Sequence, residues 1–257
     1  MEYKKDCYKK MNYFNIGLCS VTFRNKTAGE VVEIAKKAGI GFIEWGGDVH
    51  VKSLSDAKKV KALCDEAGIK ISSYGSYFNS LVSDEGKWIE TCKIAKEMNA
   101  DSIRIWLGKK NSQDTSDEEY KQILDNTKRM CDIAAEYSLL VCPECHDNTF
   151  NNNTDAILRF IGDLGKENFR TYFQSRYFRM EYDLDRIERT YSYIKDVHVS
   201  YRDLKKEQLF RKKDKNYLDT LLKRLMQKDF HGIVMIEFVS GAKEKSFFKD
   251  TEKLRTY

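Results

Sequence analysis

The stretch TAGEVVEIAKKAGIGFIEWGG (27–47) contains the pattern that decides the fold. Its first half repeats apolar side chains at helical spacing from Val31 to Ala38, which is typical of an amphipathic helix. Gly39 follows directly, at the position where a helix C-cap needs a positive φ. The apolar run GFIEWG (41–46) has the character of a short buried strand. The stretch therefore predicts a helix, a glycine cap and a strand in immediate succession.

The same order returns in LSDAKKVKALCDEAGIKISSYG (54–75), where Gly68 takes the place of Gly39. Helical spacing is found in the segments 27–38, 54–67, 84–98, 116–137, 154–164, 183–193 and 217–229. The segment at 116–137 opens with Ser116 and Glu119, which form a capping-box pattern. Strand-like runs lie at 15–20, 41–46, 69–75, 102–108, 139–144, 169–174, 195–200 and 232–239.

Eight strands that alternate with helices over 257 residues predict a (β/α)8 barrel, the TIM barrel of the α/β class. A doubly wound sheet is the alternative, but that fold calls for a glycine-rich phosphate loop after its first strand. No GxGxxG motif follows the run at 15–20. Since no change in composition marks a linker, we predict a single domain over 1–257 with an N-terminal extension over 1–13.

Composition and charge exclude several classes of function. Hydrophobic residues make up 41% of the chain, and the net charge of +5 comes from 45 basic and 40 acidic side chains that are interleaved. This mild balance predicts no nucleic-acid partner, and the lack of a run of about eighteen apolar residues predicts no membrane contact. The charged start of the chain lacks the pattern of a signal peptide, and the odd cysteine count of seven indicates reduced thiols. We therefore expect a cytoplasmic protein.

VCPECHDN (141–148) offers two kinds of chemistry, through the thiols of Cys142 and Cys145 or through the side chains of Glu144 and His146. A CxxC spacing suits zinc or redox chemistry, but side chains alternate between the two faces of a strand. Glu144 and His146 would then share a face with Cys142, and Cys145 would point the other way. The carboxylate and the imidazole are therefore favoured as the reactive pair, and the thiols are predicted to be free.

Polar side chains also lie at or near the ends of the other predicted strands, where a TIM barrel carries its chemistry. A polar group at the tail of an apolar run is costly unless a partner or a ligand satisfies it. The residues of this kind are Ser20, Glu44, Ser73, Arg104, Glu144, Gln174, His198 and Glu237.

Several stretches that contain these residues carry a family resemblance when they are taken together. They are IEWGGDVHV (43–51), SYGSYF (73–78), IRIWLG (103–108), PECHDNTF (143–150), TYFQ (171–174), DVHVSYRD (196–203) and MIEFV (235–239). With them the chain resembles the xylose-isomerase-like barrels, a broad group of sugar phosphate isomerases and epimerases. The resemblance covers nearly the whole chain and identifies no substrate.

In that group one divalent metal ion is typically held by a Glu after strand five, an Asp after strand six, a His on strand seven and a Glu on strand eight. The resemblance implies Glu144, Gln174, His198 and Glu237 as the ligands here, with Mn, Mg, Co or Zn as the ion. Gln174 departs from the pattern, and its amide should bind the ion more weakly than the usual carboxylate. Tyr177 departs as well, because the group has a substrate-binding His at that place.

The implied activity is the isomerisation or epimerisation of a sugar or a sugar phosphate. Glu144 and Glu237 would be the catalytic pair that moves a proton beside a carbonyl. Further residues are candidate substrate contacts, and each has an alternative in core packing, ion pairing or a solvated loop. These candidates are Trp45, His50, Tyr74, Arg104, Trp106, His146 and Arg202.

Three other functions use the same barrel. A lyase that dehydrates a keto-inositol could use the same site. Because Gln174 replaces the usual Asp, a barrel that binds a sugar without catalysing its conversion is a further alternative. An abasic-site endonuclease needs a trinuclear zinc cluster with many His ligands, and the chain has four His in total. The expected partner is a small-molecule carbohydrate substrate, and a homo-oligomer is left open.

Overall fold

The structure, a computed structural model, describes residues 12–175, 179–200 and 216–257. Within these ranges eight parallel strands form a nearly closed barrel, in the order β5-β4-β3-β2-β1-β8-β7-β6. The strands are β1 (Asn15–Cys19), β2 (Phe42–Gly46), β3 (Lys70–Asn79), β4 (Ser102–Trp106), β5 (Leu140–Pro143), β6 (Thr171–Gln174), β7 (Ile194–Val199) and β8 (Ile233–Ile236). The prediction of a (β/α)8 barrel is confirmed.

A narrow seam joins β5 to the residues that precede β6. Val141 forms a parallel bridge with Phe169, and its N–H donates to the Asn168 carbonyl at 2.9 Å. The N–H of Arg170 in turn donates to the Val141 carbonyl at 3.0 Å. Main-chain hydrogen bonds therefore connect the barrel around its whole circumference, although β5 and β6 do not form a regular ladder.

An α-helix follows each strand on the outside of the barrel. The helices are α1 (Ala28–Ala38), α2 (Leu54–Ala67), α3 (Glu85–Glu97), α4 (Asp117–Glu136), α5 (Thr154–Leu164), α6 (Met180–Thr190), α7 (Tyr217–Gln227) and α8 (Glu244–Leu254). None of the helices in the described ranges has both the length and the apolar character that crossing a bilayer requires.

Local sequence signals set several of the helix ends. Ser116 and Glu119 form the predicted capping box at the start of α4. Gly39 and Gly68 end α1 and α2 with φ angles of 62° and 68°, in the left-handed region where a Cβ atom would be strained. The two glycine positions that suggested a repeated unit are thus required by the backbone.

Two helices differ from the sequence predictions. Helix α8 was missed, because its buried stripe is narrow, from Phe247 through Thr251 to Leu254, and no side chain caps its start at Lys243. Helix α6 begins and ends earlier than the predicted segment 183–193. Its N-cap residue also makes no side-chain cap hydrogen bond, so the sequence carried no start signal there.

Alternation along the strands separates two groups of buried side chains. Val141, Phe173 and Val234 belong to the main core between the sheet and the helices. Their strand neighbours face the barrel interior, because successive side chains point to opposite faces. This inner cluster consists of Cys19, Val21, Cys142, Tyr172, Ile233 and Met235. It forms an apolar floor beneath the polar strand ends.

Candidate active site

Each of the eight strands, or the residue directly after it, contributes a polar side chain next to the inner cluster, to which the first of them, Cys19, also belongs. The contributed residues are Cys19, Glu44, Ser73, Arg104, Glu144, Gln174, His198 and Glu237. Five of them are ionisable in the ordinary pH range or permanently charged, and each is less than 10% exposed. We call these five residues the charged cluster, and its members are Glu44, Arg104, Glu144, His198 and Glu237.

Arg104 lies at the centre of the charged cluster and bridges two carboxylates. Its Nε donates to Glu44 Oε1 at 3.0 Å, and its Nη1 donates to Glu144 Oε2. The Ser73 hydroxyl donates to the other oxygen of Glu44 at 2.6 Å. A Cβ at Gly75 would lie 2.8 Å from Arg104 Nη2, so a residue without a side chain is needed beside the guanidinium. Hydrogen bonds and packing therefore fix Arg104 and both of its partners.

His198 lies among three carboxylates without forming a hydrogen bond to any of them. Its Nε2 is 3.4 Å from Glu44 Oε2, and its Nδ1 is 3.8 Å from Glu144 Oε1 and 3.7 Å from Glu237 Oε2. Both ring nitrogens are buried and have no hydrogen-bond partner among the described residues. Donor atoms that bind one ion at about 2.0–2.2 Å lie about 3.0–3.6 Å apart, which is close to the spacing around Nδ1.

The cluster drives the pKa values of its carboxyl groups apart. Burial opposes the ionisation of Glu44 and Glu144, but Arg104 and His198 together outweigh it, so the pKa of both carboxyl groups is lowered. Burial raises the pKa of Glu237 to about 7, against the opposing effect of His198. Burial also opposes a charge on His198, yet the acidic groups around the ring raise its pKa. At neutral pH Glu44 and Glu144 are thus ionised, and Glu237 can exchange a proton.

We expect the free energy of unfolding of the metal-free protein to depend on pH through Glu237. Its pKa is about 7 in the folded state against 4.5 for an unperturbed Glu, so the folded state binds more protons between these values. The stabilisation by the protonated form is complete below the unfolded pKa and is lost as pH rises through the folded pKa. Wild type should therefore lose stability relative to Glu237→Gln between about pH 5 and about pH 8.

Urea unfolding in the presence of a chelator, at several pH values, measures this difference. Parallel stability curves for the two proteins would show that Glu237 has an ordinary pKa.

Three of the four residues predicted to bind a metal ion come together in the charged cluster, namely Glu144, His198 and Glu237. The fourth, Gln174, lies at the end of β6 and is the register partner of His198. Its Oε1 is buried and has no hydrogen-bond partner within the described ranges. Glu144 also forms an ion pair with Arg104.

Aromatic and imidazole rings lie along the outer edge of the charged cluster, which we call the mouth of the site. The Arg104 guanidinium carbon lies 5.1 Å from the ring centre of Tyr77 and 5.6 Å from that of Trp106. The ring of His146 contacts Trp106 edge to face at 5.1 Å. Trp106 and His146, both predicted substrate contacts, are therefore side by side at the mouth. His146 is exposed and lies beyond the end of β5 at Pro143, so the strand alternation predicted for it does not extend that far.

Other predicted substrate contacts have packing roles instead. Trp45 and Tyr74 are buried in the main core, and Trp45 follows Glu44 on the opposite face of β2. The Tyr74 hydroxyl donates to the Val51 carbonyl at 3.1 Å. Neither ring faces the charged cluster, so the predicted sugar-stacking role is wrong for both.

His50 and Arg104 are also held by the protein itself. The His50 ring nitrogens lie 3.0 Å from Ser20 Oγ and 3.1 Å from the Lys26 carbonyl, which ties the loop after β2 to the loop after β1. These bonds give His50 a structural role, and its predicted substrate contact stays a prediction. Arg104 is buried and pairs with two carboxylates of the protein itself. Arg202 lies outside the described residues.

Glu44, Ser73 and Tyr77 were not predicted to be site residues. Glu44 is an acidic residue at the end of a predicted strand, but no spacing or motif in the sequence distinguishes it from other polar strand residues such as Ser73. Tyr77 adopts a φ of 57° where β3 changes its register against β4, between Gly75 and Phe78. No local sequence signal marks that irregularity.

Cys142 and Cys145 are buried and form no disulfide with each other, as predicted. Cys142 belongs to the inner cluster, and burial raises the pKa of its thiol well above the usual value. The same stretch thus supplies Glu144 to the site and leaves its thiols out of any mutual bond.

The family profile described as Xylose isomerase-like TIM barrel matches residues 32–257. The chain therefore belongs to the xylose isomerase-like TIM barrel family. A 3-dehydroshikimate dehydratase from Bacillus anthracis is 26% identical over 167 residues, which are 60% of this chain and 59% of that protein. The chain thus spans less than two thirds of the length of this curated relative.

Solved structures share the fold over almost the whole chain. The probable 3-DHS dehydratase from Bacillus anthracis has a TM-score of 0.76 at 15% identity and covers 93% of this chain and 98% of its own. The 3-keto-D-glucoside 4-epimerase from E. coli has a TM-score of 0.74 at 15% identity, with coverage of 95% and 100%. The D-psicose 3-epimerase from Clostridium cellulolyticum H10 has a TM-score of 0.71 at 14% identity, with coverage of 93% and 96%.

Proposed function

We propose that this chain is a metal-dependent isomerase or epimerase that moves a proton beside the carbonyl of a small sugar or sugar phosphate. The observation that carries the proposal is the charged cluster. It combines a histidine whose ring nitrogens have no hydrogen-bond partner among the described residues with two carboxyl groups whose pKa values are shifted in opposite directions. Groups with pKa values driven apart are the usual arrangement for acid and base roles in one site.

The charge of the cluster supports a cation. Three carboxylates face one guanidinium in the described part of the site, which leaves an excess of two negative charges when all carboxyl groups are ionised. Buried charges without compensation are costly. Without a cation the excess is reduced by protons on Glu237 and His198, whose pKa values are both raised. A divalent cation would offset the same excess and release those protons.

Glu144, Gln174, His198 and Glu237 would hold such an ion. Two carboxylates, an imidazole and an amide oxygen suit Mn, Mg, Co or Zn. When bound, a divalent ion polarises a carbonyl and stabilises the negative charge that develops on its oxygen. The fit rests on the distances from His198 Nδ1 to Glu144 and Glu237, and on the buried amide oxygen of Gln174, which has no hydrogen-bond partner in the described part of the chain.

The side chains of this site would have separate roles in proton transfer. Glu237 would remove and return the proton at carbon, because it is the most exposed of the three carboxyl groups and is not paired with Arg104. Arg104 keeps Glu144 ionised and in place as the second carboxylate. Trp106, Tyr77 and His146 provide ring surfaces at the mouth against which the substrate can lie.

A dehydratase acting on a cyclic β-hydroxy ketone is the second candidate, and the relation to 3-dehydroshikimate dehydratase favours it. Removal of the proton beside the carbonyl can be followed by loss of the β-hydroxyl as water, which turns the same site into a lyase. A keto-inositol would be a substrate of the same chemical type.

Nuclear magnetic resonance in heavy water, with a panel of ketoses, keto-polyols and 3-dehydroshikimate, separates the two activities. Deuterium gain without loss of oxygen indicates an isomerase or epimerase, and a new double bond indicates a dehydratase. If the metal-loaded protein binds ketoses but exchanges no proton and forms no product, the non-catalytic sugar-binding barrel becomes the better account.

We expect Gln174→Asp to tighten divalent-metal binding by about ten-fold or more, because a carboxylate attracts the cation more strongly than an amide does. Isothermal titration calorimetry on chelator-treated protein measures the change. Gln122→Glu is the matched control, since it adds the same charge on the outer surface of α4 and should leave the affinity unchanged. Equal affinities for wild type and Gln174→Asp would remove Gln174 from the ligand set.

A further inference from the structure

Cys19 brings a sulfur atom to the charged cluster. It is the last residue of β1, is fully buried, and is the register partner of Glu44. Its Sγ, a ring nitrogen of His198 and a carboxylate oxygen of Glu237 all lie within 4.8 Å of one another. The ligand set implied by the family resemblance contains no sulfur, so this thiol has no role in the function proposed above.

We infer that Cys19 is a sulfur ligand of the metal ion, and that the site therefore selects zinc or cobalt over magnesium and manganese. The inference rests on the proposed function, because it uses His198 and Glu237 as ligands of the same ion. Thiolate ligands favour the softer ions, whereas Mg and Mn prefer sites made of oxygen. A sulfur donor thus narrows the range of ions that the oxygen and nitrogen donors alone would accept.

Two independent observations distinguish Cys19 from an ordinary buried thiol. The first is the imidazole beside it, whose two ring nitrogens are buried without a partner in the described part of the chain. The second is the distance, because ligands of one ion at about 2.0–2.3 Å are never more than about 4.6 Å apart. The three candidate ligand atoms lie within 4.8 Å of one another, so only small side-chain movements are needed for all three to bind one ion. On binding, the thiol exchanges its S–H bond for a bond to the metal, and the proton leaves to solvent.

Cys142 provides the matched comparison. It is also fully buried and belongs to the same inner cluster as Cys19, on the strand that leads to Glu144. Within the described residues it does not belong to a group of His, Cys, Asp or Glu with the spacing of metal ligands. Cys142 should behave as a small apolar side chain that packs in the barrel interior.

Titration of the chelator-treated protein with Co²⁺ tests the inference by absorption spectroscopy. We expect visible ligand-field bands and, in addition, an intense near-ultraviolet thiolate-to-cobalt charge-transfer band at one equivalent. Cys19→Ser should lose the charge-transfer band and bind Zn²⁺ about ten-fold more weakly or worse, with Mg²⁺ affinity changed by less than about two-fold. Cys142→Ser should keep the band and the Zn²⁺ affinity of wild type.

Zinc X-ray absorption on wild type gives a second readout that needs no variant at Cys19. One sulfur neighbour at about 2.3 Å is expected. Cobalt binding without the charge-transfer band, a band that persists in Cys19→Ser, or a zinc shell of nitrogen and oxygen only would overturn the inference and leave the proposed function intact. A wild type that binds Mg²⁺ or Mn²⁺ but neither Co²⁺ nor Zn²⁺ would also overturn the inference alone, and failure to bind any of the four ions would overturn both.

Discussion

Replacing Glu237 by glutamine is expected to slow solvent-deuterium exchange into a reactive ketone by about 100- to 10,000-fold. The glutamine keeps the size of the side chain but cannot accept a proton from carbon, and it removes one ligand charge as well. The exchange rate is measured by nuclear magnetic resonance in heavy water on the metal-loaded protein. Glu136→Gln, on the exposed end of α4, is the matched control and should keep the wild-type rate.

A comparison with Glu144→Gln separates loss of chemistry from loss of structure. We expect a similar fall in exchange rate, but Glu144→Gln should also lower the thermal stability, because it removes one partner of the buried Arg104. Glu237 forms no ion pair with Arg104 that could be lost in this way. If Glu237→Gln exchanged protons at the wild-type rate, the proton-carrying role would have to be moved to another residue.

Replacing Arg104 by methionine should lower the free energy of unfolding of the metal-free protein by about 3–5 kcal/mol at neutral pH. The change leaves Glu44 and Glu144 buried without their shared partner, while the methionine retains much of the packing. Chemical unfolding followed by circular dichroism measures the effect. Arg129→Met is the control, because Arg129 forms an exposed ion pair with Glu85, and its melting temperature should stay within about 2 °C of wild type.

The stability difference between wild type and Arg104→Met should also depend on pH. Arg104 lowers the folded-state pKa of Glu44 and Glu144 below the usual 4.5, so the stabilisation is present above that value and is lost as pH falls through the folded pKa. The difference should therefore be largest at neutral pH and shrink in acid. A deficit that is small at neutral pH, or that grows in acid, would contradict the account of the cluster.

Local patterns were sufficient to predict most of the fold. The cap at Gly39, the capping box at Ser116 and the apolar periodicity of the first seven helices depend on residues that are close in sequence, and such signals can be read directly. Helix α8 lacked both a cap and a broad apolar face, so the same reasoning did not find it. The barrel itself followed from the number and order of the elements.

The candidate site was predictable only in part. Glu144, His198 and Glu237 are strand-end residues whose side chains point inward, and alternation along a strand brings them together. Alternation also places Trp45 in the outer core immediately after Glu44, although the tryptophan and not the acid was predicted to contact the substrate. Strand alternation alone would have predicted that Glu44, and not Trp45, faces the barrel interior.

Contacts between distant strands lay beyond the reach of the sequence. The link from Arg104 to both Glu44 and Glu144 joins three strands, and its geometry depends on how far each side chain extends across the barrel. The place of Tyr77 at the mouth depends on a register shift in β3. Cys19 was identified as a neighbour of His198 and Glu237 only once the strands were arranged in space.

Metal analysis of the purified protein, after incubation with a mixture of Mn, Mg, Co and Zn and removal of excess ions, tests the central claim most directly. We predict one divalent ion per chain, bound more weakly in both Glu144→Gln and Glu237→Gln. Three zinc ions per chain would indicate the endonuclease type of site. If the wild type holds no ion and Gln174→Asp does not create binding, the charged cluster is not a metal site and the proposed function is contradicted.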